Sequence, residues 1–165
     1  MSVKTARCIV CGKEYSLKVI YTCSHCGGVL DIDYDYDKLK IALSKIRFGS
    51  SREDGIWKYR CLLPVDETVR PVSLAEGGTG LLRCRRLAED LGLRSALYVK
   101  DETTEPTGSY KDRAASVAIT KALGFGMEMV VTASSGNAGA ALAAYAAKAG
   151  LRNLVFVPEA TPPEK

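Results

Sequence analysis

The chain has 165 residues, 47% of them hydrophobic and 25% charged, with a formal net charge of +4. That balance describes a globular protein able to bury a sizeable core, and it is too weakly basic to point to nucleic acid by itself. The amino-terminal MSVKTARCIVC lacks the apolar run of a secretory signal and no stretch reaches membrane-spanning length, so a cytoplasmic protein without a membrane partner is expected.

Residues 1–37 read as a first unit. Cys8 and Cys11 are separated by two residues, and eleven residues later Cys23 and Cys26 repeat the spacing. In a chain with no signal this pattern favours a tetrathiolate metal site over disulfides. Gly12 and Gly27 follow the two pairs, where a tight turn lets backbone N–H groups approach sulfur. Residues 13–22 between the pairs suffice for a small hairpin. Four sulfurs close the coordination sphere, so a zinc ion here is expected to stabilise the module and not to catalyse. His25 would be a redundant fifth ligand and reads as an exposed knuckle residue. Cys61 and Cys84 have no partners at metal spacing and read as buried structural thiols. The run VLDIDYDYD (29–37) alternates apolar and acidic residues with the period of a half-buried strand.

Residues 38–75 read as a helical connecting segment, with KLKIALSKI and GIWKYRCLL separated by a polar GSSRED linker. From residue 76 the texture becomes α/β. ALYVK (96–100), EMVVTA (128–133) and NLVFVP (153–158) read as strands, and helices are expected over 111–123 and 137–149, closed by Gly124 and Gly150. Strands alternating with helices of this length predict βαβ units around a parallel sheet, a three-layer α/β architecture. The final ATPPEK has Thr161 as a cap, Pro162 and Glu164, a helix start that predicts more chain to follow and makes residues 76–165 the amino-terminal part of a larger domain.

Two corners carry chemistry. In EPTGSYKDRAAS (105–116), Ser109 and Asp112 have capping-box spacing, which places Lys111 in the first turn of a helix. The positive end of the helix dipole disfavours an ammonium there. An isolated lysine at such a position is ordinarily solvated through its long stem. The second corner, TASSGNAGAAL (132–142), follows a strand and opens a helix, so bare N–H groups of Gly136, Asn137 and Ala138 offer an anion site. In an open parallel sheet, ligands collect at the carboxyl ends of strands, where both corners would lie. A lysine acting as nucleophile must lose its proton. Moving its pKa from about 10.4 to 7.5 takes roughly 4 kcal/mol, of which an exposed helix end supplies about 0.3–1. Burial would have to do the rest.

PTGSYKDR followed by SSGN resembles the fold-type II pyridoxal phosphate enzymes, and the leading CxxCG…CxxCG, WKYRCLLP and EGGTGLL resemble the zinc-ribbon-bearing threonine synthase family over nearly the whole chain. The resemblance implies that Lys111 holds pyridoxal 5'-phosphate covalently and that Tyr110 flanks its ring. It implies that Asn137 meets the cofactor's phenolic oxygen, and that Ser134, Ser135 and N–H groups at Gly136 and Asn137 hold a substrate carboxylate. The reaction implied is O-phosphohomoserine plus water to threonine plus phosphate, a small phosphorylated amino-acid substrate handled by a homo-oligomer. Cysteate synthase and the serine/threonine dehydratases share the same motifs. Ala138 stands where the family usually has threonine, and Gly80 where it usually has proline. The family's glycine-rich phosphate loop lies later than residue 165, so the 165 residues alone are expected to be inactive.

A binding module of another class, the ribbon contacting nucleic acid or protein, is weighed against this. The basic residues Lys4, Arg7, Lys13 and Lys18 are sparse and DIDYDYD is acidic, which argues against a phosphate-tracking surface.

Overall fold

In the computed structural model, which describes residues 3–45 and 55–162, the amino-terminal unit is a three-stranded antiparallel sheet. Strands β1 (Val3–Cys8), β2 (Glu14–Tyr15) and β3 (Leu30–Tyr34) lie in the order β2-β1-β3. Ala6 on β1 stands opposite Tyr15 and Ile32. Its neighbour Arg7 pairs with Glu14 at 3.2 Å and Asp33 at 3.1 Å. Helix α1 (Tyr36–Ser44) starts at Asp35, whose carboxylate accepts from the Lys38 N–H at 3.2 Å and so satisfies one of the free donors of the first turn.

The GSSRED linker at 49–54 lies outside the described residues. Beyond it, Gly55–Leu62 forms a 3₁₀ segment kinked at Tyr59, with Ile56 and Trp57 buried against Val65. Tight 3₁₀ winding in place of α-helix fits a segment this short, fixed by packing at one end. The Arg60 guanidinium gathers the following turn by donating to the carbonyls of Asp66, Glu67 and Val69, at 3.0, 3.1 and 2.5 Å.

Strand β4 (Leu81–Arg83) and the short helix α2 (Arg85–Asp90) precede β5 (Tyr98–Lys100). Here the structure departs from the sequence expectation. The ALYVK strand joins β4 as an antiparallel pair, Leu82 opposite Val99, and not the parallel sheet. A nearby partner closes a short loop, which costs less chain entropy than a distant one. Three residues of LLR were too few to read as a strand.

Helix α3 (Lys111–Gly124), strand β6 (Met129–Ala133), helix α4 (Asn137–Ala149) and strand β7 (Arg152–Phe156) form the expected βαβ unit, with β6 and β7 parallel and Val131 opposite Leu154. The connections from α3 to β6 and from β6 to α4 are short, so each helix runs back against the strands. Both helix N-termini therefore sit at the carboxyl end of the β6–β7 pair. Ala115 and Ile119 of α3 pack against Ala141, Tyr145 and Ala146 of α4 and against Val72. The alanines bring the helix axes close, and full burial of side chains such as Ile119 contributes about 1.5–3 kcal/mol each. Among the described residues the helices cover one face of the strand pair. Met129, Val131, Leu154 and Phe156 on the other face are exposed. No helix of the described residues is long and apolar enough to cross a membrane.

Candidate functional site

Lys111 is the first residue of α3, as its place after Ser109 predicts, but the capping is divided differently from a capping box. Tyr110 occupies the cap position without a side-chain bond. Ser109 Oγ accepts from the Lys111 N–H at 3.2 Å. Asp112 reaches back past Ser109 to Thr107, accepting from its N–H at 3.1 Å and its hydroxyl at 2.8 Å. The loop before the helix is thus tied to the helix by a wholly buried carboxylate. The Lys111 amine lies over the Tyr110 ring at 4.8 Å and makes no salt bridge among the described residues.

The second corner sits at the start of α4. Ser134 Oγ accepts from the Gly136 N–H at 3.3 Å and the Gly139 N–H at 3.1 Å. It caps its own helix. Ser135, its neighbour, has a hydroxyl with no hydrogen bond among the described residues. The N–H groups of Asn137 and Ala138 belong to the first turn, where a helix offers no internal acceptor. Free N–H donors, a free hydroxyl and the positive helix end make this corner suited to an anion. With an unpaired lysine amine at the same end of the strand pair, the residues fit a carbonyl-bearing cofactor and an anionic group.

Sequence reading missed the groups that hold these corners. Arg113 donates to Glu102 through Nε at 2.8 Å and Nη2 at 2.9 Å, and its Nη2 lies 2.9 Å from Glu105 Oε1. Thr79 donates to Glu102 at 2.7 Å, and the Gly77 N–H to Glu105 at 2.9 Å. The EGGTG loop and residues 101–107 are thereby fastened to α3 beside Lys111. The bidentate Arg113 bonds, with the Thr79 hydroxyl, hold Glu102 down at about 2. Burial pushes Glu105 up, against the Gly77 N–H and Arg113. Glutamates in a threonine-rich loop give no local signal of such a role, because their partner lies on the helix that follows.

In the amino-terminal unit the four cysteine sulfurs lie within 4.8 Å of one another. Cys8 and Cys26 are 3.5 Å apart, and Cys11 and Cys23 3.6 Å. A tetrahedral ion bound at 2.3 Å separates its sulfurs by about 3.8 Å. The two knuckles repeat one design: the Cys8 N–H donates to Lys13 O and the Gly12 N–H to Cys8 O, as the Cys23 N–H does to Gly28 O and the Gly27 N–H to Cys23 O. Gly12 and Gly27 turn the chain with φ of 73° and 71°, where a side chain would be strained. The Tyr15 hydroxyl, 3.0 Å from Cys23 Sγ, leads the lowering of that thiol to about 5. The Gly28 N–H pulls Cys26 the same way, but the neighbouring sulfurs push it up to about 12. Four thiolates this close repel one another, and a divalent cation removes the conflict. The cluster could hold a metal. His25 is exposed, while Cys61 and Cys84 are half-buried free thiols.

The chain was compared with known proteins. It is 51% identical over 153 residues to threonine synthase of Methanosarcina acetivorans, covering 92% of this chain and 36% of that protein. It is 48% identical over 154 residues to threonine synthase of Methanocaldococcus jannaschii, covering 93% of this chain and 37% of that protein. The chain thus spans little more than a third of these relatives' length. A crystal structure of O-acetylserine dependent cystathionine beta-synthase from Helicobacter pylori aligns at 32% identity and a TM-score of 0.47, over 53% of this chain and 30% of that one. The model of the family described as pyridoxal-phosphate dependent enzyme matches residues 72–165. A match over more than half of the chain, through both corners, places this protein in the pyridoxal-phosphate dependent enzyme family.

Proposed function

We propose that this chain carries the lysine-bearing part of an enzyme that converts O-phosphohomoserine and water to threonine and phosphate. The observation that carries the reading is the pairing of a free lysine amine with an anion-binding helix start at one end of the β6–β7 pair, in a chain about half identical to threonine synthases. When bound, pyridoxal phosphate supplies an electron sink for charge that develops next to the substrate's α carbon. Lys111 holds it, and the same amine moves protons at the α and β carbons. Tyr110 would flank its ring, and Asn137 would meet its phenolic oxygen. The Ser135 hydroxyl and the N–H groups at Asn137 and Ala138 orient the substrate carboxylate, while the Gly136 N–H, expected in the same role, donates to Ser134. Ser134 acts through the helix cap it makes, which keeps those N–H groups in place.

The test is phosphate release from O-phosphohomoserine by the full-length protein. Lys111→Ala is expected to abolish it, and release that survives this change would sink the assignment. Ser135→Ala removes one hydrogen bond to a charged group and is expected to weaken substrate binding by roughly 1.5–3 kcal/mol. An unchanged KM would move the carboxylate elsewhere. The amino-terminal unit is proposed to hold one structural zinc on Cys8, Cys11, Cys23 and Cys26. Metal analysis of Cys23→Ser should show most of that zinc lost, and full retention would remove the assignment.

A further inference from the structure

A glutamate in the glycine-rich run LAEGGTG should lie in solvent, yet Glu76 is completely buried. No lysine or arginine pairs with it among the described residues. Its partners all donate. Oε1 accepts from Trp57 Nε1 at 2.7 Å and faces the Ser116 hydroxyl at 2.5 Å. Oε2 accepts from the Ser73 hydroxyl at 3.0 Å, the Leu74 N–H at 3.0 Å and the Tyr145 hydroxyl at 2.8 Å. A carboxylate can only accept, so this ring of donors suits the anion and no other state of the group. Burial alone would raise its pKa; the Ser116 hydroxyl, backbone N–H groups and the Tyr145 hydroxyl outweigh burial and hold it below the ordinary value.

The partners come from separate elements. Ser116 is on α3, Tyr145 on α4, and Trp57 on the 3₁₀ segment. The segment leading to Glu76 is itself stitched to α3, the Val72 N–H donating to Thr120 Oγ1 at 2.9 Å. Ala75, just before Glu76, has φ of 70°, a conformation costly for a residue with a side chain and held here by the Ser73 hydroxyl accepting from its N–H. The chain accepts this strain where the carboxylate turns inward.

We propose that Glu76, as a buried carboxylate, is the positioning residue that fixes α3 relative to α4 and so sets Lys111 against the corner at Ser135–Asn137. The proposal rests on Lys111 being the cofactor lysine. Ser116 lies five residues beyond Lys111 and Tyr145 eight beyond Asn137, so the carboxylate crosses the helix pair about 7.5 Å and 12 Å below the two reactive ends. A small tilt at that crossing moves both ends. Misplacement of a reactive group by about 1 Å can cost a hundredfold in rate.

The experiment traps pyridoxal phosphate on the full-length protein with borohydride and maps the labelled lysine, alongside kcat and KM for phosphate release. Glu76→Gln keeps the shape but turns an amide NH₂ toward donors. Tyr145→Phe keeps the buried ring and removes only one cross-helix bond. Trapping at Lys111 is expected to slow about tenfold in Tyr145→Phe and further in Glu76→Gln, with kcat falling more than KM rises and far-ultraviolet circular dichroism unchanged in Tyr145→Phe. Should Glu76→Gln fail to fold, Tyr145→Phe decides. Wild-type trapping and kcat in a folded Tyr145→Phe would overturn the proposal. Failure of the lysine reading itself looks different: label in the unsubstituted protein would then appear on residues other than Lys111.

Discussion

The cysteine cluster and the Glu76 crossing both gather polar atoms where apolar side chains would ordinarily pack, and they satisfy them in opposite ways. At the cluster, four sulfurs within 4.8 Å of one another are all acceptors once ionised, and the Tyr15 hydroxyl meets one of them. At the crossing, one carboxylate is surrounded by hydroxyl, indole and backbone donors of the chain's own making. The first arrangement is local in sequence and could be completed by a cation from outside. The second is complete in itself and joins residues up to sixty-nine positions apart.

The largest effect should follow from chelation. Apparent binding energies of structural zinc in small finger peptides run about 10–16 kcal/mol, most of it folding energy. A strong chelator is expected to remove hydrogen-exchange protection from residues 3–34 while α3 and α4 keep theirs. Joint loss of protection in both would break the contrast and show that the two regions fold as one.

A substitution at the other region comes next. Gly55 has φ of 66°, and a Cβ there would stand 1.8 Å from the carbonyl oxygen of Glu76. Gly55→Ala is expected to cost roughly 3 kcal/mol or more, read by urea unfolding, with zinc content unchanged. A cost within about 0.5 kcal/mol, the range of ordinary surface substitutions, would mean that the 3₁₀ segment is free to move off Glu76. Smaller is Arg60→Lys, which keeps the charge on a shorter stem that stops short of the place where Arg60 Nη2 meets three carbonyls; a loss of about 1.5 kcal/mol is expected by the same measurement.

The smallest effect is a pH dependence. Glu102 titrates near 2, below its ordinary 4.5, chiefly because Arg113 donates to the ionised form. A carboxyl whose pKa falls on folding contributes stability that is fully present above about 4.5 and is lost as pH falls through about 2. The stability difference between the unsubstituted protein and Glu102→Gln should therefore be constant near neutrality and shrink below 4.5. A difference that stays constant down to pH 2 would place the effect in packing and leave Arg113 out of it.

Much of the candidate site was legible because its signals are short. Two residues between cysteines set the reach of a knuckle, and a glycine after each pair marks the turn. A strand ending in SSGN predicts a helix start, and α4 begins at Asn137. Lys111 at the head of α3 followed from the breakers before it. The division of labour within each corner was less visible. Ser134 and Ser135 are indistinguishable in sequence, and the direction of the chain at Gly136 turns one hydroxyl into the helix and leaves the other free.

By itself the sequence determined the elements whose cause is local: the paired knuckles, helices over 111–123 and 137–149, strands β6 and β7, and the residue types at both corners. Periodicity, capping and turn chemistry act within a few residues, so they can be read from a few residues. Tertiary structure alone decided the partner of β5, which found β4 nearby in place of the parallel pair. It also decided the fate of four acidic side chains, Glu76, Glu102, Glu105 and Asp112, drawn inward or fastened to α3. A carboxylate is stable out of water only where several donors converge on it, and at Glu76 those donors come from elements distant along the chain, brought together by packing of α3 on α4.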